Sequence, residues 1–156
     1  MGKLEKNDPR RAGAEIAYGE EECQHYTKLM LEELGFPPGV IPIKNFLECG
    51  RVRETGFVWM KLKEPYEHEF KAINAIVKYS KVVTAYVEKN KMKKMTGVKC
   101  RELLIWIPLV EMSINEPEGK HIYFKTNLGI GENQPLSAFL DEETPAAPPA
   151  TAVQAA

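Results

Sequence analysis

The residues that could support nucleophilic catalysis are few, and their spacing matches no familiar hydrolase motif. A hydrolase of the serine or cysteine type needs a nucleophile, a base and a carboxylate that orients the base. No serine lies in a G-x-S-x-G elbow, and the two aspartates, Asp8 and Asp141, lie near the ends of the chain. The remaining hypothesis is an ester hydrolase with Cys100 or Ser113 as nucleophile and His121 as base. The alternative for Cys100 is a half-buried strand cysteine between outward-facing basic residues.

Metal and cofactor sites are not predicted. The cysteines Cys23, Cys49 and Cys100 are widely spaced and form no C-x-x-C pair, which argues against structural zinc. Residues 67–69 read Glu-His-Glu, but adjacent side chains rarely face one ion, so a solvated turn is favoured. The glycines at 129 and 131 lack the third glycine and the helix of a dinucleotide-binding loop. We therefore expect neither a metal nor a cofactor.

Positive charge is concentrated between residues 78 and 101. The candidate residues for binding an anion or a partner are Lys89, Lys91, Lys93, Lys94, Lys99 and Arg101. Brought onto one surface, they would suit phosphate, an anionic lipid surface or an acidic protein. Lysines that prevent edge-to-edge pairing of a sheet are the alternative. An interaction module that uses a basic turn is thus one functional hypothesis, with its protein partner undefined.

The overall charge does not favour nucleic acid. The chain has 21 Lys plus Arg against 22 Asp plus Glu, a net charge of -1, so no global field attracts a polyanion. Its aromatic residues alternate with aliphatic ones, which is a core pattern and not a stacking platform for bases. We predict no specific nucleic-acid partner. Integral membrane association is not predicted either, because no apolar run approaches the about 20 residues that a spanning helix needs.

The elements that would position these residues are one helix followed by short strands. Helical periodicity, glutamates in the first turn and a C-cap at Gly35 predict a helix over Glu20–Leu34. After Val40 the hydrophobic period changes to two, which indicates strands. The predicted strands are residues 46–52, Phe57–Leu62, 70–79, 82–88 and 121–125. The predicted breaks and turns are residues 53–56, 65–69, 80–81, 89–94, 96–97 and 117–119.

A run of apolar residues over positions 103–110 predicts a central strand buried on both faces, with a bulge at Pro108. The pattern as a whole predicts a mainly β fold, an antiparallel β-barrel or rolled sheet with one N-terminal helix. The predicted domain organisation is a disordered tail over residues 1–17, a single barrel domain over residues 18–140 and a disordered Pro/Ala-rich tail over residues 141–156.

The interior of a small barrel can hold an apolar ligand at its mouth. The candidate lining residues are Trp59, Met60, Trp106 and Met112, and a filled core is the alternative. The first functional hypothesis is therefore a non-catalytic binder of an amphipathic or apolar small molecule. The N-terminal sequence lacks the apolar core of a signal peptide, and the cysteines are interpreted as reduced thiols, so a soluble, cytoplasmic protein is expected.

Two segments carry a family resemblance. Residues 34–42, LGFPPGVIP, are similar to the opening motif of a plant family of domains of unknown function, the one numbered five-three-eight. Residues 93–99 and 104–107 resemble a later segment of that family, and the likeness runs from about Tyr26 to Phe139. The resemblance implies a β fold of barrel type and a stress-related plant protein that binds a lipid or binds or hydrolyses a chlorophyll-type pigment. It implies no catalytic residue.

Overall fold

The computed structural model describes residues 4–115 and 118–140 as one α-helix and nine strands joined by short turns. The helix is α1, Glu20–Leu34. The strands are β1 (Glu15–Tyr18), β2 (Phe46–Arg51), β3 (Phe57–Leu62), β4 (Tyr66–Phe70), β5 (Ala75–Glu88), β6 (Lys91–Glu102), β7 (Ile105–Ser113), β8 (His121–Thr126) and β9 (Gly131–Pro135). Short 3-10 turns lie at Pro9–Arg11, Pro38–Val40, Lys71–Ile73 and Leu136–Phe139.

The strands form one antiparallel sheet that is rolled but not closed. They follow the order β1-β2-β3-β5-β6-β7-β8-β9, and β4 continues the line of β3 along the same edge of β5. Among the described residues, β1 and β9 are the two ends of this order and do not pair with each other. The predicted fold class, mainly β with one N-terminal helix, is confirmed, and the sheet takes its rolled form.

Helix α1 begins and ends where the sequence predicts. Acidic side chains fill its first turn, where they interact favourably with the positive end of the helix dipole. Gly35 ends the helix in the left-handed conformation, and the amide of Phe36 donates to the Leu31 carbonyl oxygen at 2.9 Å. The buried stripe that includes Met30 and Leu34 packs with the side chains of β2 and β3 in the main core. The helix therefore covers the concave side of the rolled sheet.

Two long strands run through places where the sequence predicts breaks. β5 continues across residues 80–81, and β6 continues across the expected turn at residues 96–97. Their pairing shifts register between Tyr79 and Thr84, and such bulges bend a strand and increase its twist. The predicted break at residues 65–69 is also wrong, because most of this segment forms β4. The polar and glycine residues at positions 80–81 and 96–97 resemble turn signals, but in this fold they lie where the long strands β5 and β6 bend.

Gly97 is expected to be essential to this curvature. Its φ is +82°, and a Cβ atom at this position would lie 2.3 Å from the carbonyl oxygen of Val82. We expect Gly97→Ala to lower the free energy of unfolding by about 2–4 kcal/mol, because backbone strain and a backbone clash add. Gly13→Ala is the control, since Gly13 has φ +81° with nothing near its Cβ position. Urea unfolding should show a clearly smaller loss for Gly13→Ala, and equal losses would contradict the predicted clash.

The N-terminal segment is part of the fold from Leu4 onward, which corrects the predicted disordered tail over residues 1–17. β1 pairs with β2, and Leu4 is buried with Val52, Phe57 and Trp59 in a second, small core. This core lies on the face of the sheet opposite the main core, because side chains alternate along β3. The segment is mostly polar, yet its few apolar residues pack in this core, and Arg10 and Arg11 stack on the rings of Phe57 and Trp59. Residues 1–3 and the predicted tail over residues 141–156 lie outside the described residues.

A buried polar cluster fastens this segment to the sheet. The Nη2 atom of Arg11 lies 3.0 Å from Oε2 of Glu48, and Nε1 of Trp59 donates to the same oxygen at 2.8 Å. The guanidinium of Arg11 also stacks 4.3 Å above the indole ring. Arg11 and Glu48 are both buried. We call these three residues the Arg11–Glu48–Trp59 cluster. A buried ion pair of this kind is costly to break because one charge is left without its partner.

The central apolar run is a strand only in part. Leu103 and Leu104 form the two-residue turn between β6 and β7, and both are exposed. Among residues 103–110 only Leu109 is buried, so the prediction of a strand buried on both faces is wrong. From Ile105 onward the chain is β7, which lies between β6 and β8. The pairing with β8 shifts register after Leu109, next to Pro108, where the sequence predicts a bulge.

Candidate functional site

The concave side of the rolled sheet holds a cavity of about 340 Å³. Its walls come from strands β3 to β9, from α1 and the segment that follows it, and from Phe139 near the C-terminal end of the described chain. Most of the lining side chains are apolar, and five of the six methionines in the chain are among them: Met30, Met60, Met92, Met95 and Met112. Flexible thioether side chains let such a wall adapt its shape to an apolar guest.

The cavity opens at one end of the sheet. The lining residues that are themselves exposed to solvent are Arg101, Glu102, Leu128, Ile130 and Glu132. All of them lie in or beside two turns, the one between β6 and β7 and the one between β8 and β9. We call this opening the mouth. It combines charged and aliphatic side chains, whereas the interior beyond it is almost entirely apolar.

The four residues predicted to line a ligand site do not share one environment. Met60 and Met112 face the cavity from β3 and β7 and are buried in the main core. Trp59 borders the cavity, but it packs in the second core on the opposite face, so its indole ring is not an inner wall. Trp106 is absent from the lining and lies on the outer face, where Lys78 and Arg101 stack on its ring. The inward prediction for Trp106 is wrong because the neighbouring Ile107 faces the cavity.

The candidate nucleophiles lie in environments that disfavour attack on a substrate. Cys100 is half-buried in the cavity wall, and burial raises the pKa of its thiol, so the reactive thiolate is disfavoured. Ser113 is buried in β7, opposite Tyr123 of β8. His121 is exposed at the start of β8, and Cys100 pairs near the other end of β7. The structure therefore does not bring Cys100 and His121 together.

The predicted basic residues are divided between two ends of β6. Lys89 lies in the turn between β5 and β6, where the amide of Asn90 donates to the Leu34 carbonyl oxygen at the end of α1. Lys91 and Lys93 form ion pairs with acidic residues, and Lys94 stacks on Tyr86. Lys99 and Arg101 lie at the other end of the strand, about 30 Å of extended chain from the turn. One continuous basic surface over these six residues is therefore not formed.

The sequence pattern does not identify the residues at the mouth, for a physical reason. Leu128 and Ile130 flank glycines in a short turn, and a period-two pattern cannot show that such a turn borders a cavity. The signal that could have identified them is the presence of large aliphatic side chains in a turn, where polar residues are usual.

The part of the chain that the structure describes contains neither a cluster of metal-binding side chains nor a helix that could span a membrane. No three His, Cys, Asp or Glu side chains converge there in a group that could hold a metal ion. None of the helical segments in residues 4–115 and 118–140 has the length and apolarity needed to traverse a bilayer.

Comparison with known proteins identifies the family but no activity. Searches of curated proteins and of solved structures found no match to this chain. A family model described as "Protein of unknown function, DUF538" matches residues 27–140, from the middle of α1 to the end of the described chain. This match covers the cavity walls and most of the sequence, and it agrees with the resemblance carried by residues 34–42 and 93–107. The chain therefore belongs to the DUF538 family, a family whose function is unknown.

Proposed function

We propose that this protein binds an amphipathic small molecule, with an alkyl chain inside the cavity and a polar head at the mouth. The observation that carries the proposal is the cavity of about 340 Å³, which has an apolar wall and is bordered by exposed residues at one end. Small-molecule sites of this kind enclose about 300–1,000 Å³ and use a few polar groups to orient the ligand.

The mouth supplies the polar groups that such a head would need. Arg101 and Thr126 border the opening, and a guanidinium is well suited to hydrogen bonding with an oxygen-rich head group. Glu102 and Glu132 lie at the same opening, so the local charge is mixed. Inside, each methylene of an alkyl chain would gain about 0.8 kcal/mol on leaving water. The affinity would thus depend mainly on the alkyl chain of the ligand, and the orientation of the ligand would depend on its polar head.

The size of the cavity favours an alkyl chain over a large ring system. The volume of about 340 Å³ lies near the lower end of the range for small-molecule sites. A single flexible chain can follow a narrow apolar space, whereas the broad and rigid ring of a chlorophyll-type pigment needs a wide slot. A pigment, which the family resemblance suggests, is therefore the second ligand class to test, by competition with a fatty acid.

Cys100 provides a direct test of where the ligand lies. Cys23 and Cys49 are buried, whereas Cys100 is half-buried in the cavity wall, so a thiol reagent should modify Cys100 first. We expect a saturating long-chain fatty acid to slow this modification about tenfold or more, since the chain would cover the sulfur. Because burial raises the pKa of the Cys100 thiol, the rate without ligand should still be rising at a pH where an ordinary thiol has already ionised.

The matched control is Cys100→Ser, which should remove the fast-reacting thiol and leave fatty-acid binding intact. Mass spectrometry of the modified protein would confirm that the label is on Cys100. An unchanged modification rate in the presence of a fatty acid that binds the protein would place the ligand elsewhere. A fatty acid that shows no binding at all would remove the proposal.

A further inference from the structure

Large aliphatic side chains project into solvent on both sides of the mouth. In the turn between β6 and β7, the exposed fractions are 94% for Leu103, 83% for Leu104 and 62% for Ile105. In the turn between β8 and β9, they are 64% for Leu128 and 69% for Ile130. Isolated exposed aliphatic residues are ordinary, but several at the tips of adjacent turns mark an interaction surface. We call these two turns the aliphatic tips.

The first tip is built against the local preference of the backbone. Leu103 has φ +57°, a left-handed conformation that two-residue hairpin turns usually assign to Asn or Gly. With almost all of its side chain in solvent, Leu103 gains nothing from packing that would offset this strain. Strain kept at an exposed position without a packing benefit points to a role in recognition.

The two tips form one surface. β7 and β8 are adjacent in the sheet, so the turn that precedes β7 and the turn that follows β8 lie at the same end. The amide of Asn127, in the second tip, donates to the carbonyl oxygen of Pro108 in β7 at 3.0 Å, which fixes this turn against the neighbouring strand. Leu128 and Ile130 also border the cavity. The aliphatic surface is therefore continuous with the mouth.

Behind the first tip lies a band of aromatic and basic side chains. Trp106 follows Ile105 directly, and the Lys78 ammonium and the Arg101 guanidinium stack on its ring at 4.7 Å and 5.9 Å. Lys99 lies beside Lys78 in the pairing of β5 with β6. Tryptophan, lysine and arginine placed one step behind an aliphatic edge are typical of the membrane interface, where the rings and cations lie at the level of the lipid head groups.

We propose that the aliphatic tips dock the protein on the surface of a lipid bilayer that contains anionic lipids, with the mouth facing the membrane. A fluid bilayer accommodates separate projecting side chains, whereas a folded protein partner would need a complementary flat or grooved surface. Lys78, Lys99 and Arg101 supply positive charge at head-group level, where each cation near an anionic membrane strengthens binding. Docking of this kind would let an alkyl ligand pass between bilayer and cavity without crossing water.

Vesicle co-sedimentation with the full chain tests the proposal. Wild-type protein should sediment with vesicles of phosphatidylcholine and phosphatidylserine, and more weakly with phosphatidylcholine alone. The double variant Leu103→Gly/Leu104→Asn should bind about tenfold more weakly or worse, because two exposed leucines are lost. Only the first residue of this turn, Leu103, has positive φ, which is the pattern of a II′ hairpin turn that favours Gly at that position. The thermal midpoint should therefore stay the same or rise, which excludes misfolding as the cause. Leu29→Gln, at an exposed leucine on α1, is the matched control and should bind like wild type.

Tryptophan fluorescence adds a readout of depth. Trp106 is half-exposed beside the first aliphatic tip. The other tryptophan, Trp59, is buried in the second core, on the face of the sheet opposite the main core. A quencher attached to the lipid head group should therefore reduce the emission of Trp106, and Trp106→Phe should abolish most of that effect. Absence of vesicle binding by the wild type, or equal binding by the double variant, would overturn the proposal. The proposal would also be overturned if the wild type did not bind vesicles but self-associated in gel filtration, and if the double variant abolished that self-association.

Failure here can be distinguished from failure of the proposed ligand. The vesicle assay needs no occupied cavity, and a variant that fills the cavity, Ala75→Phe, should dock normally while it binds fatty acid poorly. Wild-type protein that docks on vesicles but binds no fatty acid would count against the proposed ligand alone. Wild-type protein that binds fatty acid but does not dock on vesicles would count against the docking surface alone.

Discussion

Replacing Glu48 with alanine is expected to lower the free energy of unfolding by about 3–5 kcal/mol, among the largest effects of any single change in this chain. The carboxylate of Glu48 accepts from Nε1 of Trp59 at 2.8 Å and pairs with Arg11 at 3.0 Å, and both side chains of the ion pair are almost fully buried. Its removal would leave the Arg11 charge and the indole N–H without a partner in a place that water does not reach. Urea unfolding followed by tryptophan emission would measure the loss.

Two variants give this prediction its controls. Glu54→Ala changes a glutamate in the exposed turn between β2 and β3 and should cost less than about 0.5 kcal/mol. The double variant Arg11→Ala/Glu48→Ala should cost less than the sum of the single changes, because it leaves no unpaired buried charge. A loss below about 1 kcal/mol for Glu48→Ala would show that the Arg11–Glu48–Trp59 cluster does not fasten the N-terminal segment to the sheet.

The second large effect concerns the cavity itself. Ala75 begins β5 and lines the cavity, and Phe70 pairs with it from β4. Ala75→Phe should place an aromatic ring in the space that an alkyl chain would use. Exclusion of about three methylenes, at about 0.8 kcal/mol each, predicts fatty-acid binding that is weaker by roughly thirty- to sixtyfold. Titration calorimetry on wild type and variant would measure the ratio.

Ile76→Phe is the matched control for this change. Ile76 is the next residue of β5, lies outside the cavity lining and, because side chains alternate along a strand, faces the other side of the sheet. This variant should bind fatty acid like wild type. If both variants weakened binding equally, the effect would come from disturbance of β5 and not from the filling of the cavity. If neither did, the ligand would not occupy this part of the interior.

Local signals explain which elements could be predicted from the sequence. Helix α1 and strand β3 lie where they were expected, because a Gly35 cap and a strict period of two are properties of a few neighbouring residues. The course of β5 and β6 could not be obtained in this way. Whether Gly97 ends a strand or bends it depends on the Val82 carbonyl oxygen of the neighbouring strand, which is distant in sequence.

The candidate site was predictable only in part, for a related reason. Alternation along β3 separates Trp59 from Met60, but it does not say which face becomes concave, and that depends on where α1 packs. For Trp106 the inward choice was wrong because Ile107 occupies the cavity face. The exposure of Leu103 and Leu104 could not be predicted either. Turn propensities do not favour a hairpin turn made of two leucines, and Leu103 adopts the left-handed conformation.

The N-terminal segment shows the limit of composition as a guide. Few of its residues are apolar, so it was predicted to be disordered, yet Leu4 and Arg11 are both buried. Arg11 is held by a glutamate and a tryptophan that lie far along the chain, and the stem of an arginine can cover an aromatic ring while its head pairs with a carboxylate. The contribution of such a segment becomes visible only when the sheet that it covers is known.

The most direct test of the central claim is calorimetric titration of the wild-type protein with a long-chain fatty acid below its micellar concentration. We predict saturable binding of one molecule per chain with a dissociation constant in the micromolar range, and heat that is largely lost in Ala75→Phe. Absence of saturable binding, or equal heats from the wild type and Ala75→Phe, would contradict the claim that the apolar cavity is the functional site.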